Sequence, residues 1–172
     1  RSDRKDFSIT VERKSERIDI SVSKGKITIK SVESKTYELE EKKIGYLHVS
    51  LFAANTYSQF KEELTKLEND GIDGLVIDLR GNTGGYLSAV DSMTSLFMDE
   101  SYVIYQTEVK GNVEVFNSSG KTTKDYKIVV LGDGGSASAS EIMIAAQGAY
   151  TQQQAAELPW MFAYDILERQ TL

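Results

Sequence analysis

The chain opens on alternation. Phe7, Ile9 and Val11 are spaced by Ser8, Thr10 and Glu12, and Ile18, Ile20 and Val22 repeat the period after a polar turn at residues 13–16. A period of two marks a strand with one covered face, so the pattern predicts a hairpin. Lys24-Gly25-Lys26 breaks it, and Ile27, Ile29 and Val32 resume it. The charged run at residues 38–43 reads as a connector and as the boundary between two domains. Beyond it the pattern changes to short apolar runs alternating with helical periods. Residues 44–50, 74–79 and 127–131 have the length and apolarity of buried strands. Phe60, Leu64 and Leu67 fall at i, i+4 and i+7, predicting a helix capped by Asn55 or Thr56 and closed by Gly71. Leu87, Val90, Met93 and Phe97 predict a second helix, and residues from about 136 to 147 a third. Residues 102–108 and 113–116 read as strands around a turn at Gly111-Asn112. This alternation implies an α/β fold, with a parallel sheet and right-handed crossover helices.

Composition narrows the chemistry. The 172 residues include no cysteine, one histidine and one proline. A thiol nucleophile, a disulfide framework and a thiolate metal site are therefore excluded. A multi-histidine zinc site is impossible, and a Ser-His-Asp triad would rest on His48 alone. Twenty basic against twenty-six acidic residues argue against a nucleic-acid partner. No run is long enough for a membrane span. The charged opening at residues 1–6 leads us to expect that any export signal or anchor has been removed or was never present.

Two glycine-rich loops follow two of the apolar strands, and each precedes a helix. The first runs Arg80-Gly-Asn-Thr-Gly-Gly85, the second Gly134-Gly-Ser-Ala-Ser-Ala-Ser-Glu141. Both lie at carboxyl ends of strands, where open α/β sheets place ligands. Glycine lets backbone approach a ligand closely, and free N–H groups at a helix start stabilise an anion. A serine there is a candidate nucleophile. Ser138-Ala-Ser-Glu141 equally fits a capping box, with Ser136 and Ser140 as further caps. Asp78 and Asp133 flank the loops and read as hydrogen-bonding carboxylates, with no oxygen cage for a metal.

The two loops together are more specific than either alone. Ile77-Asp-Leu-Arg-Gly-Asn-Thr-Gly-Gly85, some fifty residues before Gly135-Ser-Ala-Ser-Ala-Ser-Glu-Ile142, resembles the C-terminal processing (tail-specific) peptidases. Ile44-Gly-Tyr-Leu-His-Val-Ser50 fits the same family, and the likeness runs from about Phe7 to about Ala146. It implies a ClpP/crotonase-like core, preceded by a β-hairpin remnant of a PDZ domain. The implied domains are residues 1–37 (PDZ-tail strands and linker), 38–150 (a partial peptidase core) and 151–172 (an atypical, helical C-terminal segment). The family uses a serine–lysine dyad without a metal or other cofactor. The likeness maps the nucleophile to Ser138, and the oxyanion-hole N–H groups to Ala139 and to either Gly84 or Gly85. It implies unstructured protein C-termini as substrates and a site of action outside the cytoplasm.

One departure matters. The family's lysine lies about two dozen residues beyond the nucleophile, in a Gly-Lys-Gly setting. Here no lysine follows Lys127, and the count lands near Ala163 in Trp160-Met-Phe-Ala-Tyr164. Arg169 is the only basic residue after Ser138, and arginine does not give up its proton near neutrality. His48 has no counterpart role in the family. The chain as written is therefore expected to lack the base, which keeps a non-catalytic pseudoprotease or peptide-binding module as the alternative. A crotonase-like acyl-CoA enzyme shares the implied fold but gives no reason for the serine run. The C-terminal segment, with Pro159, Trp160, Met161, Tyr164 and Leu167, reads as a core or interface helix, as the product of a shifted or joined sequence, or as an apolar surface for self-association or a partner chain. At 172 residues the chain is expected to be part of a larger protein.

Overall fold

The computed structural model describes residues 6–23, 25, 28–121 and 123–157, with side chains described as far as Gly148. The first hairpin pairs β1 (Asp6–Arg13) with β2 (Glu16–Ser23), antiparallel. Its register sets Phe7 against Val22, Ile9 against Ile20 and Val11 against Ile18. The alternation thus becomes one apolar face of a two-stranded ribbon, which joins no other sheet among the described residues.

The central sheet holds β3 (Val32–Leu39), β4 (Lys42–Val49), β5 (Gly74–Asp78) and β8 (Lys127–Leu131), in the order β3-β4-β5-β8. β3 and β4 are antiparallel; β4, β5 and β8 are parallel. Helix α1 (Thr56–Asn69) makes the crossover from β4 to β5. Helix α2 (Leu87–Thr94) and the hairpin of β6 (Val103–Val109) and β7 (Asn112–Asn117) lie between β5 and β8, and α3 (Ala139–Glu157) follows β8. The chain is thus α/β with a parallel run in its main sheet.

Alternation along the parallel strands sorts the faces. Leu47, Val49, Leu75 and Ile77 point into the core with Phe52, Phe60, Leu64, Phe97 and Met143. Burying each such side chain contributes about 1.5–3 kcal/mol. Phe60 and Phe97 meet edge to face, with ring centroids 6.0 Å apart. The opposite face carries the polar set Glu33, Lys35, Tyr46, His48 and Asp78.

Several expectations change. The run at residues 38–43, read as a connector, forms the tip of the β3–β4 hairpin. Its turn residues Glu40 and Glu41 both have positive φ (48° and 66°), as a two-residue hairpin turn of type I′ requires. Neither is Gly or Asn, so the residue types conceal the turn. The turn between β6 and β7 sits at Lys110-Gly111, one residue earlier than expected. Helix α2 ends at Thr94, and Phe97 is carried into the core by i to i+3 turns in which Leu96 donates to Met93 and Phe97 to Thr94. The alternation resumes only at Val32; Ile27 lies outside the described residues. Helix α3 starts three residues later than Ser136 and runs ten past Gln147. Pro159, Trp160, Met161, Tyr164 and Leu167 lie outside the described residues.

Candidate active site

The two glycine loops meet at the carboxyl ends of β5 and β8. Asp133 ties them: its Oδ1 accepts the N–H of Gly81 and that of Gly135, both at 2.9 Å. These bonds, that from Gly81 foremost, hold its carboxyl below the usual range. Asn82 makes the second tie. Its carbonyl accepts the Ala137 N–H at 3.1 Å and the Ser140 hydroxyl at 2.8 Å. Its side chain donates from Nδ2 to the Val49 carbonyl and accepts the Gly84 N–H, each at 2.8 Å.

Helix α3 begins at a strained serine. Ser138 has φ 56°, a left-handed conformation that a side chain adopts only at a cost of roughly 1–2 kcal/mol. The turn leaves Ser138 exposed while Ala139 and Ser140 are buried. The expected capping box is only half formed. The Glu141 carboxylate accepts the Ser138 N–H at 2.8 Å, but the Ser138 hydroxyl has no hydrogen-bond partner among the described residues. The other two serines are committed: Ser136 donates to the Leu79 carbonyl and Ser140 to that of Asn82, each at 2.8 Å. Three serines that look alike in sequence are therefore separated by their partners, and one hydroxyl is left available.

The glycine pair lies against that serine. A Cβ on Gly84 would fall 3.0 Å from the Ser138 Cβ, 3.1 Å from the Ala139 nitrogen and 2.8 Å from the Ala137 carbonyl oxygen. A Cβ on Gly85 would meet the Phe52 carbonyl oxygen at 2.1 Å. Both have positive φ, 100° and 144°. Phe52 holds this turn in place, donating to the Gly84 carbonyl at 3.0 Å and accepting the Tyr86 N–H at 2.8 Å. The Gly84 N–H is taken by Asn82, whereas those of Gly85 and Ala139 reach no acceptor among the described residues.

The profile of Peptidase family S41 matches residues 43–154, which contain every residue of this arrangement. The chain belongs to peptidase family S41. Among curated proteins, the S41 chain is 40% identical over 103 residues to a carboxyl-terminal-processing protease of Synechocystis, covering 60% of this chain and 24% of that one. It is 34% identical over 142 residues to a CtpA-like serine protease of Staphylococcus haemolyticus, covering 80% and 28% respectively. The chain thus spans about a quarter of the length of these relatives. Among solved structures it matches a photosystem II D1 C-terminal processing protease with a TM-score of 0.65 at 22% identity, over 84% of this chain and 41% of that one. An S41 protease from Bacteroides fragilis matches at 0.59 and 16%, over 83% and 43%. At these identities the structures speak for the fold.

In this S41 chain His48 makes no hydrogen bond to Ser138. It lines a groove of about 500 Å³ on the open face of the sheet, with Glu33, Lys35, Tyr46, Asp78, Arg80, Gly81 and Asp133. Ser138 is not among the lining residues. Asp78 is nearly buried there, its side chain 3% exposed. Burial alone would raise its carboxyl; Arg80, at 2.7 Å from Oδ2, and the Tyr46 hydroxyl, at 2.5 Å, together bring it down to about 2. Asp78 and Asp133 are thus both engaged in hydrogen bonds. Sequence reasoning missed Asn82 and Phe52. Asn82 had one signal, an amide that can donate and accept at once between two glycine turns; Phe52 acts through its backbone and had none.

Proposed function

We propose that this chain carries the acyl-transfer site of a serine endopeptidase of the C-terminal processing type. Ser138 is the nucleophile, and the N–H groups of Gly85 and Ala139 receive the oxyanion. The observation that carries the reading is the Ser138 hydroxyl, presented by a left-handed turn beside Gly84 with no hydrogen-bond partner among the described residues, together with the Gly85 and Ala139 N–H groups, which reach no acceptor among those residues. Attack on a substrate carbonyl would move charge onto its oxygen, where fixed N–H donors act without reorganisation. Gly85 is chosen over Gly84 because Asn82 already holds the Gly84 N–H. The name of the carboxyl-terminal-processing relative supports a protein C-terminus as substrate, and the resemblance supports an unstructured one, action outside the cytoplasm, a ClpP/crotonase-like core and β1–β2 as the end of a PDZ domain.

The sequence supplies no lysine after Lys127, so the family's serine–lysine dyad is incomplete in the chain as written. A serine hydroxyl hardly ionises at neutral pH, and turnover by this chain alone is expected to be negligible. The same observation favours a second reading, a pseudoprotease that binds peptide tails in an intact groove. A fluorophosphonate probe followed by peptide mapping tests the first. Label on Ser138, lost in Ser138→Ala, supports the nucleophile; label elsewhere, or none even at alkaline pH, removes it. Binding of a disordered peptide that survives Ser138→Ala, with no slow labelling, would favour the second.

A further inference from the structure

We infer that Asn82 is the positioning residue that selects which loop glycine serves the oxyanion hole; this rests on the serine acyl-transfer reading above. Asn82 is fully buried, at 0% exposure. Every polar group it has is used, and each bond reaches a different part of the site. Its N–H donates to Leu79 at the end of β5. Its Nδ2 is anchored on the Val49 carbonyl at the end of β4, which fixes the amide's orientation and aims Oδ1 at the Gly84 N–H. Its carbonyl accepts from Ala137 and Ser140, the residues before and after Ser138-Ala139. One side chain therefore withdraws the Gly84 N–H from the site, while the backbone of the same residue grips the turn that presents Ser138. With Gly84 held, the Gly85 N–H is the one left to face a substrate oxygen together with that of Ala139. Substitution of Asn82 would release the Gly84 N–H, let the Gly84-Gly85 peptide turn, and lose the fixed aim of the Gly85 donor.

The test needs no general base. A peptidyl boronic acid adds reversibly to a serine hydroxyl: the Oγ–B bond forms, boron becomes tetrahedral, and the hydroxyl proton leaves to solvent. One boronate oxygen then sits where the oxyanion would. Boron NMR reports the adduct, and amide proton NMR of the full chain reports the donors. In the wild type the Gly85 and Ala139 amide protons are expected to move downfield on adduct formation, with Gly84 unmoved and protected from hydrogen exchange. In Asn82→Ala the Gly84 amide should lose that protection and adduct affinity should fall about tenfold or more. Asn82→Asp keeps an acceptor for Gly84 but loses the donor to the Val49 carbonyl, so Gly84 protection should fall less than in Asn82→Ala and adduct affinity should fall in step with that protection, whatever the effect on melting temperature; it also serves if the alanine variant does not fold. Affinity that follows melting temperature rather than Gly84 protection overturns the positioning role. So does a wild-type adduct in which Gly84 shifts and Gly85 does not. No Ser138-dependent adduct in the wild type overturns the acyl-transfer reading itself, and the Gly84 exchange data, read without any ligand, still separate the two failures.

Discussion

Gly84 and Ser138 meet across two loops that lie more than fifty residues apart, with no room for a side chain between them. A single methyl group on Gly84 would stand 3.0 Å from the Ser138 Cβ and 2.8 Å from the Ala137 carbonyl oxygen. The contact exists because both loops leave the carboxyl ends of adjacent strands, β5 and β8, and are bridged by Asp133 and Asn82. The site is therefore sensitive to volume at one glycine.

Gly84→Ala combines a positive φ with a collision against backbone, and the neighbouring loop cannot yield without moving Ser138. We expect a loss of about 2–4 kcal/mol in stability together with loss of Ser138 labelling. Gly71→Ala is the control. Gly71 also has positive φ, 77°, but a Cβ there meets nothing, so the loss should be about 1 kcal/mol with labelling intact. Urea denaturation and probe labelling of both variants check the pair; equal losses would mean that packing against the serine loop contributes nothing.

Ser138→Gly should stabilise the fold while abolishing reactivity. Glycine relieves the left-handed strain at φ 56° and keeps the N–H that Glu141 accepts. The expected gain is up to about 1 kcal/mol, since glycine's extra freedom in the unfolded chain takes back part of the relief. Thermal melting reads the sign. A glycine variant less stable than the wild type would show that the turn is not strained.

Without a base, Ser138 labelling should depend only on the alkoxide fraction. The rate is expected to rise about tenfold per pH unit from about pH 7 to about pH 9, with no plateau. A plateau near neutrality would reveal a titrating base within the chain. His48→Gln is expected to leave the profile unchanged, since His48 lines the groove on the open face and Ser138 does not.

The Asp78 carboxylate should make stability depend on acid. Its folded pKa, about 2, lies below the unfolded value near about 3.9, so its contribution is fully present above about pH 4 and is lost as pH falls through about 2. The size is about 2 kcal/mol at neutral pH. Comparing Asp78→Asn with the wild type across this range should show a stability gap that closes in acid. A gap of the same size at pH 7 and at pH 2 would assign the effect to packing instead.

Much of the architecture was legible from period alone. Strict alternation identified β1 and β2, the 3.6-residue spacing of Phe60, Leu64 and Leu67 identified α1, and short apolar runs identified β5 and β8, because the geometry of each element fixes which residues share a face, even where, as in β1 and β2, that apolar face stays exposed. Gly71 closes α1 as its position suggested, with a left-handed φ. The hairpin at Glu40-Glu41 was not legible, since its charged residues carry no turn signal and only pairing of β3 with β4 forces them into positive φ.

At the site the division is sharper. The motif pair by itself determined the family and pointed to Ser138, Ala139 and the glycine pair, because a sequence signature records which residue types a site needs. It also determined that no lysine follows Lys127. Which serine hydroxyl is available, and which glycine N–H is already occupied, was decided only in three dimensions. Ser136 and Ser140 are claimed by carbonyls of Leu79 and Asn82, 57 and 58 residues away, and Gly84 by an Asn82 side chain whose orientation depends on Val49. A hydrogen bond depends on distance and direction between groups, and strand order alone brings these loops together, so no local pattern in the chain can encode which donors are left over.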